Sequence, residues 1–464
     1  MTSAIYPLAR PSLPRTQAKQ ALFRPGWWAA LASSLLFACA NAVTPGVAAT
    51  AQIAVASADS QQLVPLADKN NTSGPATATL TFLHDDRTRI VDAAGNEVQL
   101  RGVNLGGWLL WEAWIWEGDI NALNLPAQAE TNIRKQLTKL VGAEEFRKFE
   151  AAFYDSFITE SDIAAIAAHG FNTVRILFNY RLLEDDSAPG QYKAHGWEVL
   201  DRLLGWLEKH RVYGVLSLGS APGGQSSLFT ADPGSVSLWD SPQNQERTIA
   251  LWHAIAQRYR DRPGWAAYDL LNEPKPTSSD LVALYTRIVA GIRQVDTNHM
   301  VMVQGNEFAL DFSPFTARLD ANEAYTFHVY NWFDALTGET TLGKVQRVRN
   351  IASAHGLPLW NGEFGQDQYA VVEANRRIFE RPDQGVSGWA YYTWKNAPNK
   401  YPQLYAIGRR SNAWKNVISW ITAPWQHRQP SKEATLIGMR EFLEDIKLQN
   451  CSVDVRMLAG LINR

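Results

Sequence analysis

Residues 200–218 read Leu200-Asp201-Arg202-Leu203-Leu204-Gly205-Trp206-Leu207-Glu208-Lys209-His210-Arg211-Val212-Tyr213-Gly214-Val215-Leu216-Ser217-Leu218. Leu200, Leu203, Leu204 and Leu207 keep the three-and-four spacing that lines one face of a helix. Beyond Arg211 the chain is almost continuously apolar, which suits a strand covered on both faces. A helix with one buried stripe feeding such a strand is the repeating unit of a parallel sheet.

The same unit recurs in both directions. Upstream, Thr159 and Asp162 make a capping-box pattern, Ile163, Ile166 and Ala167 hold helical spacing, and Gly170 stops the helix before an apolar run at 171–178. Downstream, helical stripes at 251–259, 284–292 and 345–354 precede apolar runs at 265–271, 300–303 and 358–361. Further runs at 325–328 and 386–392, with a first strand near 98–104, bring the strand count to eight. Eight strands alternating with helices predict a closed (β/α)8 barrel rather than an open doubly wound sheet. Arg89-Ile90-Val91 and Val98-Gln99-Leu100 flank the turn-rich Asp92-Ala93-Ala94-Gly95-Asn96, predicting an N-terminal β-hairpin that leads into the first strand.

Composition agrees with one large globular domain: 464 residues, 46% hydrophobic and 19% charged. The net charge is −2 with no long basic run, so a neutral substrate suits the chain better than nucleic acid. Arg10, Arg15, Lys19 and Arg24 precede an apolar stretch at 27–37 and Ala40-Asn41-Ala42, the order of an export signal. Residues 1–42 are therefore read as that signal, 43–78 as a flexible leader, 79–447 as the barrel domain and 448–464 as a C-terminal tail. No later stretch is long and apolar enough to span a membrane, and a secreted or periplasmic monomer is expected. Leu36-Phe37-Ala38-Cys39 faintly resembles a bacterial lipoprotein box, which would anchor the protein through Cys39; the plainer reading is a cysteine beside an ordinary cleavage site. Only Cys451 would remain in the mature domain, which excludes a disulfide framework or a cysteine metal site. No G-x-G-x-x-G, P-loop or metal-spaced histidine cluster is present, so no cofactor and no metal are expected.

Active sites of such barrels are assembled at the C-terminal ends of the strands. Reading those ends in order gives Asn104 to Trp108, Arg175, Gly219, Asn272-Glu273-Pro274, His328 to Tyr330, Glu363 and Trp394. One strand-end glutamate alone is more often a loop cap or salt bridge than a catalyst. Two of them, in a ring with Arg, His, Asn and Trp, point to glycoside hydrolysis, where one carboxyl protonates the leaving oxygen and another attacks or activates water. Glu273 would keep its proton while Glu363 stays ionised beside Arg175. Among the 18 tryptophans, Trp108, Trp332 and Trp394 are the cleft candidates.

These residues resemble glycoside hydrolase family 5, the cellulase and β-glucanase family. The likeness is carried by Asn272-Glu273-Pro274, Gly362-Glu363-Phe364-Gly365, Arg175 within Asn172-Thr173-Val174-Arg175-Ile176, and Trp394. Arg101-Gly102-Val103-Asn104-Leu105-Gly106-Gly107-Trp108, then Glu112 and Trp114-Ile115, are similar to the opening of its exo-β-1,3-glucanase-like branch, as is Ala221-Pro222-Gly223-Gly224-Gln225. The resemblance runs over residues 89–447 and implies a retaining hydrolase of a β-1,3- or β-1,4-linked glucan. It implies Glu273 as acid/base and Glu363 as nucleophile, with Asn272 holding the sugar 2-hydroxyl. Arg175 and Tyr330 would pair with the nucleophile, His328 would contact the acid/base, and Trp394 would floor the sugar subsite. One position departs from the pattern. The family has a histidine at the end of the third strand that helps to bind a sugar hydroxyl, where this chain has Leu218-Gly219-Ser220. The bare glycine predicts an enlarged pocket, with Ser220 and Gln225 the nearest polar residues to fill it. Two other outcomes fit the same residues: a glucan-binding protein with weak or no turnover, and a transglycosylase on the same scaffold.

Overall fold

The computed structural model describes residues 79–118, 125–276, 278–332, 334, 338–365, 368–398 and 403–463. The expected signal, leader and Cys39 lie outside the described residues. Eight parallel strands close into a barrel: β1 (Leu100–Asn104), β2 (Thr173–Asn179), β3 (Tyr213–Ser220), β4 (Trp265–Asp269), β5 (Met300–Gln304), β6 (Glu323–Val329), β7 (Leu359–Gly365) and β8 (Val386–Tyr392), with β8 pairing β1. The predicted (β/α)8 barrel is the observed fold.

The helix and strand within residues 194–220 show why the barrel closes. Helix α1 (Ala194–His210) buries Val199, Leu200, Leu203, Leu204 and Leu207, each contributing roughly 1.5–3 kcal/mol of apolar burial, and Arg211 ends it in the left-handed region at φ 55°. Every residue of β3 is buried. Leu216 and Leu218 pack outward with the helices, while Val215 turns into the barrel with Leu100, Ala267, Met300, Met302, Ala324, Trp360 and Ala390. That apolar plug fills the lower barrel and leaves the upper interior to polar side chains. Where β8 meets β1, Gly388 has φ 124°, and a Cβ there would lie 2.0 Å from the Leu100 carbonyl oxygen, so the seam needs a glycine.

The N-terminal hairpin is present but sits one strand earlier than expected. Arg89–Val91 pairs antiparallel with His84–Asp86, and contact with the following run is reduced to a bridge between Val91 and Glu97. Leu100 is already committed to the barrel. The expected C-terminal tail is a correction of a different kind: Ser452–Val453 pairs with Tyr405–Ala406, and helix Val455–Ile462 packs on helix Tyr369–Phe379. Met457 and Leu461 supply an apolar face too short to be read from periodicity alone.

Between β1 and β2 a helical insertion packs against the C-terminal helices through aromatic rings. Trp414 stacks on Phe442 at 4.3 Å, and Phe153 and Trp116 close around them. The capping box starting helix α2 (Glu160–Ala168) extends into this region. Asp162 accepts hydrogen bonds from the Thr159 N–H and hydroxyl at 2.9 Å each, from the Trp394 indole at 2.9 Å, and pairs with fully buried Lys395 at 2.7 Å. Lys395 also donates to the Phe157 and Ile446 carbonyls at 2.7 and 2.9 Å, so replacing Asp162 with Asn would leave a buried ammonium with hydrogen bonds but without its counter-charge. We expect Asp162→Asn to lose about 3–5 kcal/mol, read as a lower urea midpoint with unchanged slope; a loss within experimental error would show that the two carbonyls alone hold the Lys395 charge.

Candidate active site

Each strand delivers a polar or aromatic side chain to the top of the barrel. Arg175 in β2 is fully buried, and its guanidinium contacts Asp269 at 2.8 Å, Glu363 at 2.6 Å, Asn272 at 2.7 Å, Ser217 at 2.9 Å and Asn104 at 3.2 Å. Asp269 is held in turn by Ser217 at 2.7 Å and by the Gln304 amide at 2.9 Å. The other end of that amide accepts the Glu273 backbone N–H at 2.8 Å. Asn104 donates to the Gly362 and Ala390 carbonyls, tying β1 to the backbone beside Glu363.

The two glutamates face one another across this cluster. A carboxylate oxygen of Glu273, one of Glu363 and a ring nitrogen of His328 all lie within 4.8 Å of each other. Carboxyl groups about 5 Å apart suit attack by one of them, whereas separations above about 6.5 Å leave room for a water between them. Their surroundings differ. Glu363 takes the Arg175 guanidinium on one oxygen and the Tyr330 hydroxyl, at 2.9 Å, on the other. Burial pushes the Glu273 carboxyl up to about 7 against the opposing charge of Arg175. His328 Nδ1 lies 2.8 Å from Glu273 and 3.6 Å from Glu363, and burial pushes its imidazole down to about 4, so the ring is neutral at neutral pH.

Spacing along the chain points to no metal site, yet these three side chains have the donor types and proximity to ligate one small cation. Such an ion would have to displace the hydrogen bond between His328 and Glu273.

Of the predicted residues, Glu273, Glu363, Arg175, Asn272, His328 and Tyr330 come together here. Trp332 lies at the rim, 47% exposed and stacked on Tyr330 at 4.5 Å. Trp108 and Trp394 do not belong to the cleft surface. Both are fully buried, with the Trp108 indole donating to the Tyr154 carbonyl and the Trp394 indole to Asp162. The strand ends at Tyr392, and the chain turns outward before Trp394, whose ring packs on Tyr405 at 4.3 Å. Tyr392 is the β8 ring beside the carboxylates, its hydroxyl donating to Glu112.

Glu112 carries no role on the sequence alone, and the structure brings it to the site. It is buried, accepts the Trp114 indole N–H at 3.1 Å, and is pushed up to about 7 by burial, with the Glu363 charge adding to the shift. A third carboxyl thus stands next to the pair. Asp269 and Gln304 also escape the sequence reading, although a charge at the end of an apolar run, as in Trp265-Ala266-Ala267-Tyr268-Asp269, is a readable signal.

The enlarged pocket expected at Gly219 is not there. A Cβ on Gly219 would lie 2.8 Å from Leu110 Cδ2 and 3.3 Å from Leu177 Cβ, so leucine side chains fill that space. Ser220 donates to the Ala231 carbonyl, and Gln225 is spent bridging the Gly219 and Asn272 carbonyls.

A family model described as cellulase (glycosyl hydrolase family 5) matches residues 128–398. The chain belongs to glycosyl hydrolase family 5. It is 35% identical over 345 residues to a β-xylosidase of Phanerodontia chrysosporium, covering 67% of this chain and 71% of that protein. Over 192 residues it is 33% identical to endoglucanase C of Acetivibrio thermocellus, covering 41% and 55% of the two chains. With a probable glucan 1,3-β-glucosidase A of Emericella nidulans it shares 33% identity over 178 residues, covering 38% and 42%. This chain therefore spans about half the length of the two glucanases. Among the described residues of this family 5 hydrolase, no helix is long and apolar enough to cross a membrane.

Gly219 and Leu110 act as a packed pair. Gly219→His should cost about 1–3 kcal/mol of stability by overpacking, and combining it with Leu110→Ala should recover at least about 0.5 kcal/mol relative to additivity in a urea double-mutant cycle. Strict additivity would mean that Leu110 is not what fills the space.

Proposed function

We propose that this hydrolase cleaves β-glucosidic bonds of a β-1,3- or β-1,4-linked glucan by double displacement with retention, Glu363 acting as nucleophile and Glu273 as acid/base. One observation carries the reading: two carboxyl groups within 4.8 Å, one clamped by Arg175 and Tyr330, the other pushed up to about 7 by burial. Glu363 attacks the anomeric carbon while Glu273 gives its proton to the departing oxygen, and the C–O bond to the leaving sugar breaks as the glycosyl-enzyme ester forms. Water, deprotonated by Glu273, then releases the sugar and restores both groups. Asn272, oriented by Arg175, would hold the 2-hydroxyl, and Trp332 offers an exposed ring face to a pyranose.

The proposal includes an exported monomer, secreted or periplasmic, on the reading of residues 1–42 as a signal and 43–78 as a leader, with the catalytic domain beginning near 79. Transfer of the glycosyl group to another sugar uses the same first step, and product analysis separates it from hydrolysis.

A second reading has its own support. The relative matched over two thirds of this chain is described as a β-xylosidase, and Leu110 places an apolar group where space was expected beside Gly219. A pentose lacks the hydroxymethyl group and needs less room. Product analysis on laminarin, carboxymethyl-cellulose and mixed-linkage glucan, beside aryl β-glucosides and β-xylosides, decides between the two. Activity on xylosides alone would replace the glucanase reading, and binding without cleavage of any β-glycoside would remove the enzyme reading.

The carboxyl pair can be tested by substitution and by pH. Glu363→Gln should abolish turnover of all substrates in a folded protein, whereas Glu273→Gln should retain far more activity on aryl glycosides with good leaving groups than on glucans, because those leaving groups need no proton. Equal losses on both substrate kinds would contradict the roles. In the unmodified enzyme kcat/KM on glucan should fall as pH rises through about 7, where the free enzyme's Glu273 loses its proton. An alkaline limb near the ordinary carboxyl range, about 4 to 5, would contradict the environment assigned to Glu273.

A further inference from the structure

Just beyond β6, Asn331 stands between Tyr330, whose hydroxyl bonds Glu363, and Trp332, whose ring stacks on Tyr330 at the rim. Its side chain turns away from both rings and meets two helices. Asn331 Nδ2 donates to Thr341 Oγ1 at 2.8 Å, the Thr341 hydroxyl donates to Asn375 Oδ1 at 2.7 Å, and Asn375 Nδ2 donates back to Asn331 Oδ1 at 2.7 Å. These three bonds close a ring in which every side chain donates to the next and accepts from the one before. Thr341 starts helix Thr341–Ala354, Asn375 lies in helix Tyr369–Phe379, and both are buried. Neither has a hydrogen bond to Glu273 or Glu363.

Asp334 fixes the direction in which the ring runs. Its carboxylate accepts the other Nδ2 hydrogen of Asn331 at 2.7 Å and pairs with the buried Lys344 ammonium. A carboxylate offers no donor, so Asn331 presents its NH2 to Asp334 and its oxygen to Asn375. Lys344 also donates to the Tyr330 carbonyl at 2.8 Å, which ties down the backbone on the near side of Asn331. Bonds that run in one sense strengthen one another, and a ring with no spare donor or acceptor does not re-pair when one member is lost. The inference rests on the role proposed for Glu363 as nucleophile. We propose that Asn331, Thr341 and Asn375 are positioning residues: their ring holds the backbone at 330–332 so that the Tyr330 hydroxyl meets the attacking carboxylate. Because every substrate needs that attack, opening the ring slows substrates with good and poor leaving groups alike, unlike a loss at Glu273.

Thr341→Val keeps the shape and opens the ring, and Thr341→Ser keeps the hydroxyl. The substrate is a β-glycosyl fluoride of the sugar that the enzyme accepts, whose leaving atom is too small to reach Trp332. Thr341→Val should lower its kcat/KM about tenfold, and Thr341→Ser should match the wild type. In a Tyr330→Phe background no hydroxyl is left to place, so adding Thr341→Val should cost less than about twofold. The same factor in both backgrounds, or no loss in Thr341→Val, overturns the proposal. Hydrogen exchange followed by mass spectrometry reads the anchor without any activity. Amides at 330–334 should exchange about tenfold faster in Thr341→Val than in the wild type or Thr341→Ser, with the eight barrel strands unchanged. An unchanged rate at 330–334 overturns the proposal, and so does a rise shared by the strands, which would mark a loss of overall stability. Exchange that responds as expected in a wild type that cleaves no β-glycoside would instead fault the proposed function and leave the anchor standing.

Discussion

A guanidinium with no exposed surface is expensive to bury, and Arg175 is tolerated because every face of its fork meets an oxygen. Two of those oxygens are anionic. Asp269 lies deeper and is itself fully buried, while Glu363 opens toward the cleft. One cation between two carboxylates leaves a local excess of negative charge, and this bears on every other group nearby. Glu273 is not bonded to Arg175, so burial outweighs the guanidinium charge and pushes its carboxyl up to about 7. Glu112 feels the Glu363 charge directly. The difference in environment between two chemically identical glutamates is thus set by which of them the arginine touches.

The barrel is what allows so many partners to meet one side chain. Asn104, Arg175, Ser217, Asp269, Gln304, His328, Glu363 and Tyr392 come from eight different strands of one closed parallel barrel. Below them the interior is apolar and small, with Ala267, Ala324 and Ala390 making room for Met300, Met302 and Trp360. A polar layer over an apolar plug places the charges in a dry setting on a rigid base, so the orientation of Glu363 is fixed before any sugar arrives.

The eight strands were legible because a strand buried on both faces is a near-continuous apolar run, and the carboxyl pair was legible because charges ending such runs need a reason. What was not legible depended on partners remote in sequence. Whether an indole is a sugar platform or core is decided by what its N–H meets: Asp162 for Trp394 and the Tyr154 carbonyl for Trp108, 232 and 46 residues away. Gly219 could not be read alone either, since Leu110 from the loop after β1 fills its space. The C-terminal segment looks like a tail in sequence because eight residues of helix carry too little periodicity to be told from chance, whereas their packing on helix Tyr369–Phe379 is plain in space.

Glu273 shows how the backbone serves the same network. Its φ of 45° lies in the left-handed region, costing on the order of 1 kcal/mol for a residue with a side chain. The Gln304 amide holds it there, accepting the Glu273 N–H while donating to Asp269, which in turn holds Arg175. The twist lifts the carboxyl off the line of β4 and turns it toward His328 and the cleft. The two glutamates are therefore not positioned independently. Arg175 fixes Glu363 by direct contact and Glu273 through Asp269 and Gln304, so the few ångströms between the two carboxyl groups are set by one hydrogen-bonded chain running across the barrel.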